Sequence, residues 1–410
     1  MKPNTKYMKT RLLISAIIIL LVVFSSCKKD KTEYKEIQLS AKQQEIVQSG
    51  NEFSLGIFRE FSSEESNFMI SPLSVDYALA MTANGAKNNT LDEMLAVLDF
   101  ADYEMSEFNS YFNYIMNELV DLDSQVELSI ANSIWYRNDF TVLQSFLDVN
   151  QEYYNAYIKS LDFNDSGAVD EINNWVSDNT NEKITEILNE IPTDAEMYLI
   201  NAIYFYGSWQ YEFDKSNTQN QDFHLSDEST VEVEMMEMES ELKYYSDPDF
   251  TVVELPYGQG NFVMDLILPS AESDVAGVIE QLNSNTWNSI TQGLYDENIV
   301  VKMPKFKFEF EQNLIPALQN MGMIDLFTGS ADLSDINGTG GLYVSKVKHK
   351  TYIDVNEDGT EAAAVTAVEV TYNSAGPNSF TLDRPFVFII REKSTGVILF
   401  EGAVQNPTED

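Results

Sequence analysis

The sequence predicts one large α+β domain, mostly antiparallel sheet with helices around it. Helical and strand patterns are interspersed, without the regular alternation of a doubly wound fold. No Gly/Ser/Pro linker, repeat or low-complexity tract divides the chain beyond its N-terminal segment. Hydrophobic residues make up 44% of the 410 positions, including 24 Phe, 21 Tyr and 4 Trp. That is enough apolar mass for a sizeable packed core and argues against disorder.

The N-terminus comes first. Lys2, Lys6, Lys9 and Arg11 precede an apolar run from Leu12 to Phe24, followed by Ser25, Ser26 and Cys27. The run falls short of the ~20 residues of a spanning helix, so 1–26 reads as a signal peptide. The stretch FSSC resembles a bacterial lipobox, with Phe24 where Leu is usual, and Cys27 would then be the lipidated first residue of the mature chain. The other reading is an ordinary cleaved signal in which Cys27 is incidental. Residues 27–43 are expected to form a charged tether to a domain over 44–408. Cys27 is the only cysteine, so that domain has no disulfide and no thiol nucleophile. The expected location is the cell envelope, lipid-anchored at the outer membrane or cell surface.

Within the domain, Leu91, Met94, Leu95 and Leu98 fall at helical spacing, as do Val169, Ile172, Trp175 and Val176. Strands are expected at Leu199 to Phe205, at Phe262 to Leu268, and where Phe306, Phe308 and Phe310 alternate with polar residues. Phe386 to Ile390 and Val397 to Phe400 flank Lys393-Ser394-Thr395-Gly396, a hairpin signal.

The formal net charge is −41 and becomes more negative once the basic leader is removed. This excludes nucleic acid as a partner and leaves lipid as the only membrane contact. His224 and His349 are the only histidines, and neither sits in a nucleophile signature or a metal cluster. Gly338, Gly340 and Gly341 lack the flanking strand, helix and Lys of a phosphate loop and read as a turn. Asp354, Asn356, Asp358 and Gly359 open like a calcium loop, but the bidentate Glu required at its twelfth position is Val365. No metal, cofactor or catalytic residue is predicted.

The run that follows, Thr360 to Thr371, has a strand's period of two. One face carries Thr360, Ala362, Ala364, Thr366, Val368 and Val370, small or β-branched throughout. The other carries Glu361, Ala363, Val365, Ala367, Glu369 and Thr371. Such a segment could slide between existing strands; a plain edge strand or an alanine-rich helix start fits the local pattern as well.

NEDGTEAAAVTAV resembles the proximal hinge of the reactive-centre loop of inhibitory serpins. NFMISPLSVDYALAMTANGAKNNT, LINAIYFYGSWQYEFD, ADLSDIN, VSKVKHKTYIDVNEDGTEAAA and DRPFVFIIREKSTGVILFEGAVQNP are similar to other serpin segments, in order, from about Gln44 to Pro407. The resemblance implies a serpin fold with an exposed reactive-centre loop at about 357–380. Its hinge would comprise Glu357, Gly359, Thr360, Glu361, Ala362, Ala363 and Ala364. Ser71, Ser74, Asn201 and His349 match the shutter beneath the opening sheet, Trp209 matches the breach, and Lys305 with Glu357 matches an ion pair there.

The implied function is suicide inhibition of serine endopeptidases, with papain-like cysteine endopeptidases as a second class, by a monomer. The alternative is a non-inhibitory serpin-fold binding protein whose loop is only a substrate. Counting seventeen residues from Glu357 inclusive places the bait at Asn373 and the scissile bond at Asn373-Ser374, with Tyr372 as the alternative bait. No Lys or Arg lies between Thr351 and Asp383, so chymotrypsin- or elastase-like targets are expected rather than trypsin-like ones. Val365 departs from the Ala, Gly or Ser usual in inhibitory hinges, on the outward face.

Overall fold

The structure, a computed structural model, describes residues 34–360 and 378–409. Two sheets organise it. The first has the order β10-β11-β12-β4-β2-β3, built from β2 (Val126–Arg137), β3 (Tyr157–Leu161), β4 (Met197–Ser208), β10 (Phe306–Asn313), β11 (Lys348–Asn356) and the two-residue β12 (Gly359–Thr360). The second runs β1-β15-β14-β8-β7-β6-β9-β13, with β5 (Gln219–His224) beside β6. Its members are β1 (Phe68–Ile70), β6 (Thr230–Ser246), β7 (Phe250–Tyr257), β8 (Phe262–Pro269), β9 (Tyr295–Pro304), β13 (Asn378–Thr381), β14 (Phe386–Glu392) and β15 (Ile398–Val404). Pairing is antiparallel except for β2 with β3 and β13 with β9.

The predicted periodicities correspond to real elements. Leu91 to Leu95 lie in the helix Asn88–Val97, and Val169 to Val176 in the helix Ala168–Asn179. The three expected strands are β4, β8 and β10, and the C-terminal hairpin is β14–β15. The core lies between the sheets, where Phe205 of β4 packs edge-on against Phe262 and Phe400 of the second sheet. Gly338 takes φ +80° as a helix C-cap, and the Asn337 carboxamide accepts from the amides of Thr339 and Gly340, so this glycine cluster is a turn.

The expected tether ends sooner than residue 43. From Tyr34 the chain is docked: Ile37 is buried, its amide donates to Ser394 Oγ, and Asn261 donates to the Lys35 carbonyl. Helix α1 (Ala41–Arg59) begins inside the expected tether because Ser40 and Gln43 form a reciprocal capping box, satisfying two amides at its start.

Candidate functional site

The described part of the segment expected to be a hinge, Glu357 to Thr360, is held where β11 turns back on itself. Asn356 pairs with Gly359 and Val355 with Thr360, closing a hairpin around Glu357 and Asp358. On its other side β12 pairs with β4, Gly359 opposite Ser208 and Thr360 opposite Gly207. Gly359 has φ +149°, and a Cβ there would lie 2.2 Å from the Gly207 carbonyl oxygen. Only glycine permits this approach.

Around the hairpin, side chains lock the top of the sheet. Trp209 stacks on Tyr257 with ring centroids 4.5 Å apart, and its Nε1 donates to the Asn356 carbonyl at 3.0 Å. The backbone amides of Trp209 and Phe213 donate to the carbonyls of Asp358 and Glu357. Tyr257 and Thr360 share a hydroxyl hydrogen bond of 2.7 Å. Lys305 Nζ lies 2.9 Å from Glu357 and 3.2 Å from Glu234, Thr218 donates to Glu357 at 2.7 Å, and Lys215 bonds Asp358 at 2.6 Å. Burial would raise the Glu357 carboxyl, but the bonds from Lys305 and Thr218 outweigh it and hold the group below its ordinary value.

Below Thr360 no ladder joins β4 to β11 among the described residues. A cavity of about 30 Å³ opens there, lined by Ile203, Phe205, Thr351, Ile353, Thr360 and Phe400 among others.

The lower polar cluster is built on the start of helix α2 (Pro72–Ala83). Pro72 has no amide to lose at the first helical position, and Ser71 caps the helix by accepting from Ser74 N. The Ser71 hydroxyl donates to the Leu399 carbonyl at 2.7 Å, and its amide donates to His349 Nε2 at 3.0 Å. Thr351 donates to the Met69 carbonyl, adding a second tie from β11 to this junction. Asn201 is not part of this set. Its amide donates to Asn132 at 2.8 Å, and its Oδ1 is buried without a partner.

Burial pushes His349 down to about 4. The folded protein therefore binds fewer protons than the unfolded chain between about 4 and its ordinary 6.5. Stability from this group is complete above that range and is lost as pH falls through it. We expect the acid-side decline of the thermal midpoint to flatten between those values in His349→Gln, measured by circular dichroism.

Of the residues singled out from the sequence, Ser71, Ser74 and His349 converge, and Trp209, Lys305, Glu357, Gly359 and Thr360 converge at the hairpin. Cys27, Glu361, Ala362, Ala363, Ala364, Tyr372, Asn373 and Ser374 lie outside the described residues. Sequence reasoning missed Tyr257, Thr218 and Lys215. Tyr257 ends a strand before Gly258, and nothing in that local pattern marks it as the partner of a distant tryptophan.

The family model described as "Serpin (serine protease inhibitor)" matches residues 48–407. Intracellular coagulation inhibitor 2 of Tachypleus tridentatus is 32% identical over 407 residues, covering 97% of this chain and 100% of the relative. The crystal structure of a thermophilic serpin, tengpin, in the native state superposes with TM-score 0.82 at 35% identity, covering 91% of this chain and 96% of that one. Human thyroxine-binding globulin in complex with thyroxine gives TM-score 0.83 at 29% identity over 90% of this chain and 100% of its own. The chain belongs to the serpin family.

Proposed function

We propose that this protein traps serine endopeptidases, and papain-like cysteine endopeptidases as a second class, by inserting its cleaved loop as an extra strand between β4 and β11. The observation that carries the reading is β12: Gly359 and Thr360 already bridge these two strands, antiparallel to both. Continuing the same register downward places Ala362 between Phe205 and Ile353 and Ala364 between Ile203 and Thr351. Thr366 would then fall between Asn201 and His349, within reach of the unpartnered Asn201 oxygen. The positions entering on this row are the small or β-branched ones. The outward row would set Ala363 between Tyr204 and Tyr352.

In the trapping reaction the protease hydroxyl adds to the carbonyl of the bait residue, Asn373 or Tyr372. The following C–N bond breaks, and the leaving amine takes the proton the hydroxyl gave up, leaving an ester. Insertion then has to outrun hydrolysis of that ester. Each new ladder hydrogen bond contributes about 0.5–1.5 kcal/mol to the driving force. The absence of Lys and Arg near the bond favours chymotrypsin- or elastase-like targets. The leader and Cys27 support a lipid-anchored place in a bacterial cell envelope, at the outer membrane or cell surface.

The test is incubation with chymotrypsin, elastase, trypsin, subtilisin and papain. A denaturant-stable complex with chymotrypsin or elastase, and not with trypsin, is expected, and mass spectrometry of the released peptide locates the bond. Clean cleavage with no complex and no gain in thermal stability would overturn the reading in favour of a binding protein whose loop is only a substrate. Labelling with radioactive palmitate, lost in Cys27→Ser, tests the anchor.

A further inference from the structure

Directly opposed residues of an antiparallel ladder share one face of a sheet. In the second sheet one such row reads Ile70, Glu401, Ile389, Asp265, Glu254 and Lys243, across β1, β15, β14, β8, β7 and β6. Three carboxylates thus lie on one interior row: Glu254 is 3% exposed, and Asp265 and Glu401 are fully buried. Two cations serve two of them. Arg391 bonds Asp265 at 2.7 Å and Glu254 at 2.6 Å, and Lys393 bonds Glu254 at 2.8 Å. Glu401 has none, and neither of its oxygens has a hydrogen-bond partner.

The elements around Glu401 offer no remedy. Of the charged groups on α1, Arg59 donates to the Leu282 carbonyl and pairs with Glu52. On α2, Asp76 is itself buried with an unpartnered oxygen. β1 supplies only Phe68, Met69 and Ile70. On β14, Arg391 is committed to Asp265 and Glu254, and Glu392 accepts from Ser394 and Thr395 in the hairpin turn. Glu280, in the helix Val275–Gln281, accepts from Ser62. A charge left in that position is shielded from solvent and bonded to no cation, with only Arg59 acting on it electrostatically, so the neutral acid is the form that fits.

Glu401 is also placed to matter. It pairs with Ile70, the residue before Ser71, and lies two residues beyond Leu399, whose carbonyl accepts the Ser71 hydroxyl. We propose that Glu401 is a built-in proton switch: protonated, it lets β15 seat beneath α1, and its ionisation loosens the β1–β15 junction that carries Ser71 and shortens the life of the native form. Burial raises this carboxyl well above its ordinary 4.5, with Arg59 opposing. The native state therefore holds a proton that the unfolded chain has released, and stability falls as pH rises from about 4.5 toward the folded value. This slope is opposite in sign to that of His349, which is spent above about 6.5.

The consequence for trapping rests on the insertion reading; the pH dependence of stability does not. The experiment follows the thermal midpoint, and the rate at which purified protein at 37 °C leaves the native form, from about pH 5 to about pH 9. One linked proton accelerates loss of the native form by up to about tenfold per pH unit on the alkaline side. Glu401→Gln, or Glu401→Met should the amide variant not fold, should lower that slope by the one proton Glu401 contributes, leaving the part from Asp76, whose carboxyl burial also raises. An unchanged slope in either variant, or no slope in the parent, overturns the proposal. Absence of protease trapping in parent and variants alike, with the slope reduced as expected, would overturn only the proposed function.

Discussion

On the proposed trapping mechanism, Thr360→Arg is expected to leave the protein only a substrate: the loop is still cleaved, but the denaturant-stable complex with the protease no longer accumulates. Thr360 is 4% exposed, lies between Gly207 and Val355, and bonds Tyr257 through its hydroxyl. A guanidinium has no partner there even in the native form, so it would first expel Thr360 from between β4 and β11, and insertion would then have to bury it again at a cost of about 3–5 kcal/mol. That is a factor of at least ~100 in the partition between insertion and release by hydrolysis. Ala362→Arg should act alike, because a loop inserting in register with β12 would bring it inward between Phe205 and Ile353. Ala363→Arg is the control, since the outward row can carry a charge into solvent, and it should keep most of the trapping. Stoichiometric titration against chymotrypsin reads all three. Undiminished inhibition by Thr360→Arg or Ala362→Arg would remove the insertion mechanism, and equal loss in all three would remove the face assignment.

How much of this was legible in the sequence differs by residue. Period-two spacing and side-chain size are both sequence properties, and of the run they marked, the described structure holds Thr360, where β12 enters the sheet. The strands of the core were readable because apolar runs end at Pro, Gly and charged turns. The partners of His349 were not, since its ring accepts from a backbone amide, and a backbone amide leaves no mark in the sequence. Asn201, grouped with it by resemblance, bonds one strand further away, to Asn132. The early start of α1 was readable in principle, because Ser40-Ala-Lys-Gln43 is a capping-box pattern, but the charged neighbourhood reads as a tether. The buried acids were the least legible. In a chain with 66 Asp and Glu, one more acidic residue in an apolar strand carries no signal until cross-strand register aligns Glu254, Asp265 and Glu401.

That row yields the largest stability effect. Arg391 is 4% exposed and divides its fork between Asp265 and Glu254. Trp287 lies beside it, with the guanidinium carbon 5.9 Å from a ring centroid. Arg391→Leu would leave two directly opposed carboxylates in the interior, one of them still bonded by Lys393. Removing one partner of a buried set costs about 3–5 kcal/mol, because the remaining charge cannot be resolvated. The thermal midpoint, taken at a single scan rate, should fall by roughly 5–10 °C near neutral pH. Lowering the pH should recover part of the loss, because each carboxyl can then take a proton in place of its lost partner. Arg391→Lys keeps the charge but offers a point donor instead of a fork, and should fall between parent and Leu variant. Equal midpoints for parent and Arg391→Leu at neutral pH would mean that Lys393 and a proton shared by Asp265 and Glu254 suffice to neutralise the pair. Glu401 would then no longer be the one unmatched acid of the row.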